Sequence, residues 1–136
     1  MEWYKGDFMV SDNIELIDID TVKRLLSTTY WAKNRTIETI EISIANSLTF
    51  GLFHIGKQIG FARVVTDKAT FSWILDVVID DKYRGNGLGK WLMECIFEHQ
   101  EIKYTAFALA TSDAHNFYKK FSFINNKCMT KPLLTK

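Results

Sequence analysis

The sequence predicts an α/β domain of the α+β kind, with helices packed on one mixed, mostly antiparallel sheet. Three observations carry that reading. Residues Phe71 to His99 run as a β-branched, aromatic strand, a loop with Gly85, Gly87 and Gly89, and an amphipathic helix. Three strand-like runs between Leu48 and Ile79 are joined by connections so short that they must form an antiparallel meander. A helix-length crossover then leads to another strand-like run, Tyr104 to Ala110, which must therefore lie parallel to the Phe71 strand.

Taken in order, residues 1 to 10 read as a short hairpin or first strand, with Gly6-Asp7 as its turn. Asp18 or Asp20 can cap a helix bearing Val22, Leu25 and Leu26. The stretch Thr28 to Arg35 breaks the helical period and reads as a polar, aromatic loop. Thr36 caps a second helix whose stripe is Ile37, Ile40, Ile44 and Leu48, with Glu38 and Glu41 suited to the dipole of its early turns. Strands follow at Leu48 to His54 and Gln58 to Thr66, around Gly56-Lys57, and Asp67-Lys68-Ala69 turns into the Phe71 strand. The helix after the glycine loop places Leu88, Trp91, Leu92, Cys95, Ile96 and His99 on one stripe. Beyond the Tyr104 strand, Asp113 is expected to cap a helix with Ala114, Phe117, Tyr118 and Phe121 inward. Asn125-Asn126 should turn into a last short strand ending near Pro132.

Composition narrows the function. A chain of 136 residues fits one domain, here 1–136, and 47% hydrophobic with 24% charged residues is ordinary for a globular protein. The formal charge of +1 gives no electrostatic case for nucleic acid or an anionic membrane. No apolar run approaches the ~20 residues of a membrane span, and no signal peptide opens the chain. Cys95 and Cys128 are isolated thiols without metal-ligand spacing to His54, His99 or His115, so no metal and a reducing cytoplasm are expected. Cys95, on the apolar stripe, reads as a small buried hydrophobe. Most of the aromatic residues (14%, four of them Trp) are expected to pack the core.

The glycine loop can hold a phosphate. Free amides, the positive end of a helix dipole, and the flanking Arg84 and Lys90 all favour an anion. A P-loop would need Gly where Arg84 stands and Ser or Thr where Trp91 stands. A dinucleotide fingerprint needs one more residue than Gly85-Asn86-Gly87-Leu88-Gly89 provides. What fits is R-x-x-G-x-G, as Arg84, Gly87 and Gly89, after Ile79 to Tyr83.

That pattern resembles the acyl-CoA pyrophosphate loop of the GNAT superfamily of N-acyltransferases. The element order extends the resemblance over nearly the whole chain. YWAKNR, NSLTFGLF, QIGFARVVTD and LDVVIDDKYRGNGLGKWL look like a group of small bacterial acetyltransferases. The resemblance implies the GNAT fold with four flanking helices and a splayed parallel pair. Into that fork the pantetheine arm of acetyl-CoA would insert against Val77, Val78 and Ile79, with its pyrophosphate on the amides from Arg84 to Lys90 (Gly85, Asn86, Gly87, Leu88 and Gly89 between them).

Asp76 lies on a strand with apolar residues on both faces, where alternation puts it with Ile74 and Val78. A lone carboxylate there must be paired or face a wet cleft. The expected role is catalytic, a general base that takes the ammonium proton directly or through water; a substrate anchor and a structural partner of Arg63 are the alternatives. FYKKFSF resembles the family's Y-x-K-x-G-F, which implies that Tyr118 protonates the departing thiolate. Ser122 stands where Gly is usual, and Thr111 where many members carry an Asn that binds pantetheine. Thr111, Ser112 or Asp113 could substitute or could cap the helix, and Asn116 is a further CoA candidate. Trp31, Arg35 and Arg63, with Tyr30 and Lys33, suit an acceptor bearing a carboxylate or phosphate, or else a solvated loop over the core edge.

The expected activity is acetyl transfer from acetyl-CoA to a primary amine of a small molecule or peptide by direct attack. The alternative is a non-catalytic acyl-CoA-binding sensor on the same fold. The superfamily also suggests a homodimer.

Overall fold

The computed structural model describes residues 1–134. Its sheet has six strands in sequence order. Strands β1 (Glu2–Lys5) and β2 (Phe8–Ser11) form the hairpin expected around Gly6, whose φ of 58° is the left-handed value that such a turn needs. β2 pairs antiparallel with β3 (Leu48–His54), which continues as the meander through β4 (Lys57–Thr66) and β5 (Phe71–Ile79).

Helices cover both faces. α3 (Leu88–Glu98) packs Leu88, Leu92, Met93, Cys95 and Ile96 onto Phe50, Leu52, Ala62, Val64 and Ile74. On the opposite face α1 (Ile19–Leu26) and α2 (Ile37–Ala45) bury Val22, Leu25, Leu26, Ile40 and Ile44 against Phe61 and Val78. Thr36 caps α2 as expected, its hydroxyl accepting from the Thr39 amide at 3.2 Å, but the helix stops at Ala45 and Leu48 opens β3 instead. Asp18 occupies the cap position of α1, and its carboxylate accepts from the Thr21 hydroxyl rather than from backbone. His99 ends α3 as a buried residue, bonded through Nε2 to Asp12 at 2.7 Å.

The alternation expected for β5 fails at Asp76. Pairing runs Leu75 to Arg63 and then Val78 to Phe61, so Ala62 alone faces Asp76 and Val77. This is a β-bulge, with Asp76 at φ 58°; Asp tolerates that region better than most residues. One extra residue inverts side-chain parity. Ile74 therefore packs under α3 while Val78 packs under α1 and α2, although the sequence put both on one face.

β6 (Ala106–Ala108) is parallel to β5, as the crossover requires, but shorter than Tyr104 to Ala110. Only Phe71, Ser72 and Trp73 of β5 pair with it. From Ile74 to Ile79 the β6-side edge of β5 is open, which makes the fork. α4 (His115–Lys119) is five residues long and ends before Phe121. Asp113 does not cap it: Ala114 holds the N-cap position with no side-chain hydrogen bond, and the Thr111 hydroxyl instead closes the preceding turn, accepting from the amides of Asp113 at 3.4 Å and Ala114 at 3.0 Å. The last strand expected after Asn126 is absent among the described residues; Ile124, Met129 and Leu133 there are exposed, without a sheet neighbour to bury them.

Ser122 takes φ 70° without being glycine. Left-handed backbone is unfavourable for a residue with a Cβ, so Ser122→Gly should stabilise the protein by about 0.5–1 kcal/mol, net of the added freedom of the unfolded chain. Thermal unfolding reads this as a rise of a few degrees. A lower midpoint would show that the hydroxyl compensates for the strain.

Candidate active site

The glycine loop is fastened at its entry. Asp80, nearly buried, accepts from the Lys82 amide at 3.0 Å and from Nη1 of Arg24 on α1 at 3.1 Å. The Lys82 amide, aided by the Arg24 guanidinium and against desolvation, holds its carboxyl below the usual range. Arg84 donates through Nε to the Ile79 carbonyl at 3.0 Å and pairs with Asp81 at 2.5 Å. The chain then turns through Gly85 at φ 82° and Gly87 at φ 75° into α3. Among the described residues, none of the backbone amides from Gly85 to Lys90 donates to a protein carbonyl. A Cβ built at Gly85 or Gly87 would meet nothing within 4 Å. The loop thus presents a run of free donors, at the positive end of a helix dipole, with space in front of them.

Those donors open onto a cavity of about 660 Å³ along the unpaired edge of β5. Val77, Val78, Ile79, Arg84, Gly85, Gly87, Leu88, Gly89 and Lys90, which the resemblance assigned to acetyl-CoA, line it. Tyr83, Phe117 and Lys120 line it as well and were not anticipated; only α4's placement beside the loop brings Phe117 and Lys120 there. Asn86 keeps its backbone N–H free within this run while its side chain turns back to the Tyr83 carbonyl at 3.0 Å, and Asn116, exposed on α4, does not line either this cavity or the one beside it. Thr111 lines the neighbouring cavity instead, with its hydroxyl engaged in the turn before α4.

A second cavity, about 510 Å³, adjoins the first. The two share Tyr30, Trp31, Val77, Asp113, Ala114 and Tyr118. Tyr118 stands at the junction, and its hydroxyl makes no hydrogen bond to another described residue. Burial, then the charges of Asp113 and Tyr30, push its phenol pKa above the ordinary value, so it keeps its proton through neutral pH.

Asp76 borders the second cavity, but its oxygens are engaged. Oδ2 accepts from Arg35 Nη1 at 2.6 Å and Arg63 Nε at 2.9 Å; Oδ1 accepts from Trp31 Nε1 at 3.2 Å. Arg63 also donates to Ser47, and Lys23 holds the Arg35 carbonyl at 2.5 Å. Of the three residues expected to bind acceptor, only Trp31 lines the cavity. Arg35 and Arg63 sit behind Asp76 as its counter-ions, since a buried carboxylate needs such partners. Cys95 is buried, and burial, with Glu98 and Glu94 nearby, pushes its thiol up to about 12, far from a nucleophile's range.

A family model described as an acetyltransferase (GNAT) domain matches residues 45–125. The uncharacterized N-acetyltransferase ycf52 of Gracilaria tenuistipitata var. liui is 32% identical over 81% of this chain, and that of Pyropia yezoensis 30% identical over 88%. The chain spans 64% and 72% of the length of these two relatives. A crystal structure of a GNAT-family protein from Xanthomonas campestris pv. campestris superposes with a TM-score of 0.89 at 35% identity, covering 96% of both chains.

Proposed function

The chain belongs to the GNAT acetyltransferase family, and from that premise we propose that it transfers the acetyl group of acetyl-CoA to a primary amine by direct attack. The observation that carries this reading is the junction of two cavities at Tyr118, one edged by the free amides of the glycine loop and by Arg84, Lys90 and Lys120. When bound, acetyl-CoA supplies the acetyl group as a thioester. The amides of Gly85 to Lys90 hold its pyrophosphate, and the open edge of β5 at Val77 to Ile79 pairs with its pantetheine amides as an added strand would.

The acceptor amine, having lost a proton to water, attacks from the second cavity. A backbone N–H near Val78 polarises the thioester carbonyl. As the N–C bond forms and the C–S bond breaks, Tyr118 gives its phenolic proton to the leaving sulfur and regains one from the acylated nitrogen. Asp76 is a positioning residue in this scheme, holding Trp31, Arg35 and Arg63 at the cavity's edge. The two free thiols and the lack, among the described residues, of a helix able to cross a membrane fit a cytoplasmic enzyme.

Calorimetric titration with acetyl-CoA tests the donor. The unaltered protein should bind it, and Gly87→Glu should weaken binding by at least about 100-fold, because it sets a carboxylate among phosphate-binding amides on backbone that disfavours a side chain. No binding by the unaltered protein would refute the reading.

A further inference from the structure

The two joined cavities differ in the charged residues that line them. Arg84, Lys90 and Lys120 border the donor side. The acceptor side is bordered by Asp76 and Asp113 and, among the described residues, by no Lys, Arg or His. Asp76 is already neutralised by two guanidinium groups, and an anionic acceptor would have to displace it from both. Asp113 differs. Its carboxylate accepts no hydrogen bond from the described residues, and it borders both cavities beside Tyr118, whose phenol feels its charge.

The other walls are largely apolar, with Ile74, Leu75, Val77 and Leu109 beside the aromatic side chains of Tyr30 and Trp31. Those two rings meet edge to face with centroids 5.0 Å apart. Each is fixed by its polar tip to one arm of the fork. The Tyr30 hydroxyl bonds Ser112 Oγ at 2.6 Å, and Trp31 Nε1 donates to Asp76. The rings therefore present preformed flat faces, with their own hydrogen-bonding atoms occupied.

Building on the acetyl-transfer reading above, we propose that the acceptor is a primary amine on a flat apolar body with no anionic group, its ammonium held by Asp113 where the two cavities join. This replaces the carboxylate- or phosphate-bearing acceptor that Arg35 and Arg63 suggested in the sequence.

The test compares 2-phenylethylamine with phenylalanine, which adds only a carboxylate beside the same amine, and with glucosamine 6-phosphate. Initial rates with acetyl-CoA are measured for the unaltered protein and for Asp113→Asn. Binding of 2-phenylethylamine to the CoA-loaded protein is followed by calorimetry. The side chain of Asp113 is exposed and bonded to nothing, so the variant should fold normally.

Expected is a kcat/KM for 2-phenylethylamine about 100-fold above that for either anionic acceptor. Asp113→Asn should raise KM and weaken amine binding by about 10-fold or more, with acetyl-CoA affinity unchanged. Equal or better use of phenylalanine or the sugar phosphate, or an unaltered KM in Asp113→Asn, would overturn the proposal. So would acetyl-CoA binding without transfer to 2-phenylethylamine, which leaves the donor reading intact. Failure to bind acetyl-CoA at all would remove both.

Discussion

Asp76→Ala is expected to destabilise the protein by about 3–5 kcal/mol, a large share of the ~5–15 kcal/mol that holds a domain together. Two costs combine. The carboxylate is buried and is the shared acceptor of Arg35 and Arg63, whose side chains are 22% and 12% exposed. Removing it leaves two half-dry guanidinium groups without an anion, the arrangement in which breaking a buried pair is most damaging. Alanine must also adopt φ near 58° at the bulge, where Asp is better tolerated. Asp76→Asn keeps the backbone tolerance and some acceptor capacity, so its loss should be smaller. Urea unfolding followed by circular dichroism measures both, and Trp31 emission should shift as its indole N–H loses its partner. A loss below about 1 kcal/mol for the alanine variant would mean that water replaces the carboxylate freely and that the trio is not structural.

That carboxylate also marks where sequence reasoning reached its limit. Chemical necessity was legible: a lone Asp in an apolar strand must have a partner, and Arg63 on the neighbouring strand was a candidate. The bulge was not legible, because strict alternation is the only rule a run such as FSWILDVVI offers, and a one-residue insertion inverts every side chain beyond it. Arg35 was further out of reach, coming from a loop 41 residues away in sequence. The meander, the crossover and the glycine loop were legible for the opposite reason: short connections and local spacing dictate them. Errors gathered after β6, where competing caps lie side by side. Thr111 and Asp113 are both good N-cap residues by type, yet α4 starts at His115 with Ala114 at its cap position, a start set by backbone geometry that no local rule decides.

Tyr118→Phe is expected to lower kcat by about 100-fold or more while leaving acetyl-CoA affinity nearly unchanged. The hydroxyl supports no other described residue, so its removal should not disturb the ring packing against Phe117 and Phe123. Its single function in the proposed reaction is to protonate the leaving sulfur, which is needed only as the C–S bond breaks. A group used only there affects kcat and not ground-state binding. The pH profile gives an independent signature. Burial, with Asp113 and Tyr30, raises the phenol above its usual value of ~10, and the protonated form is the active one. Activity that depends on Tyr118 is therefore present at neutral pH and lost only as pH rises through that elevated value. In the phenylalanine variant this alkaline decline should vanish, leaving a low, flat rate. Asp113→Asn removes one source of the elevation, so the decline should move to lower pH in that variant. A kcat unchanged by Tyr118→Phe would take the phenol out of the reaction and leave protonation of the sulfur to water in the open fork.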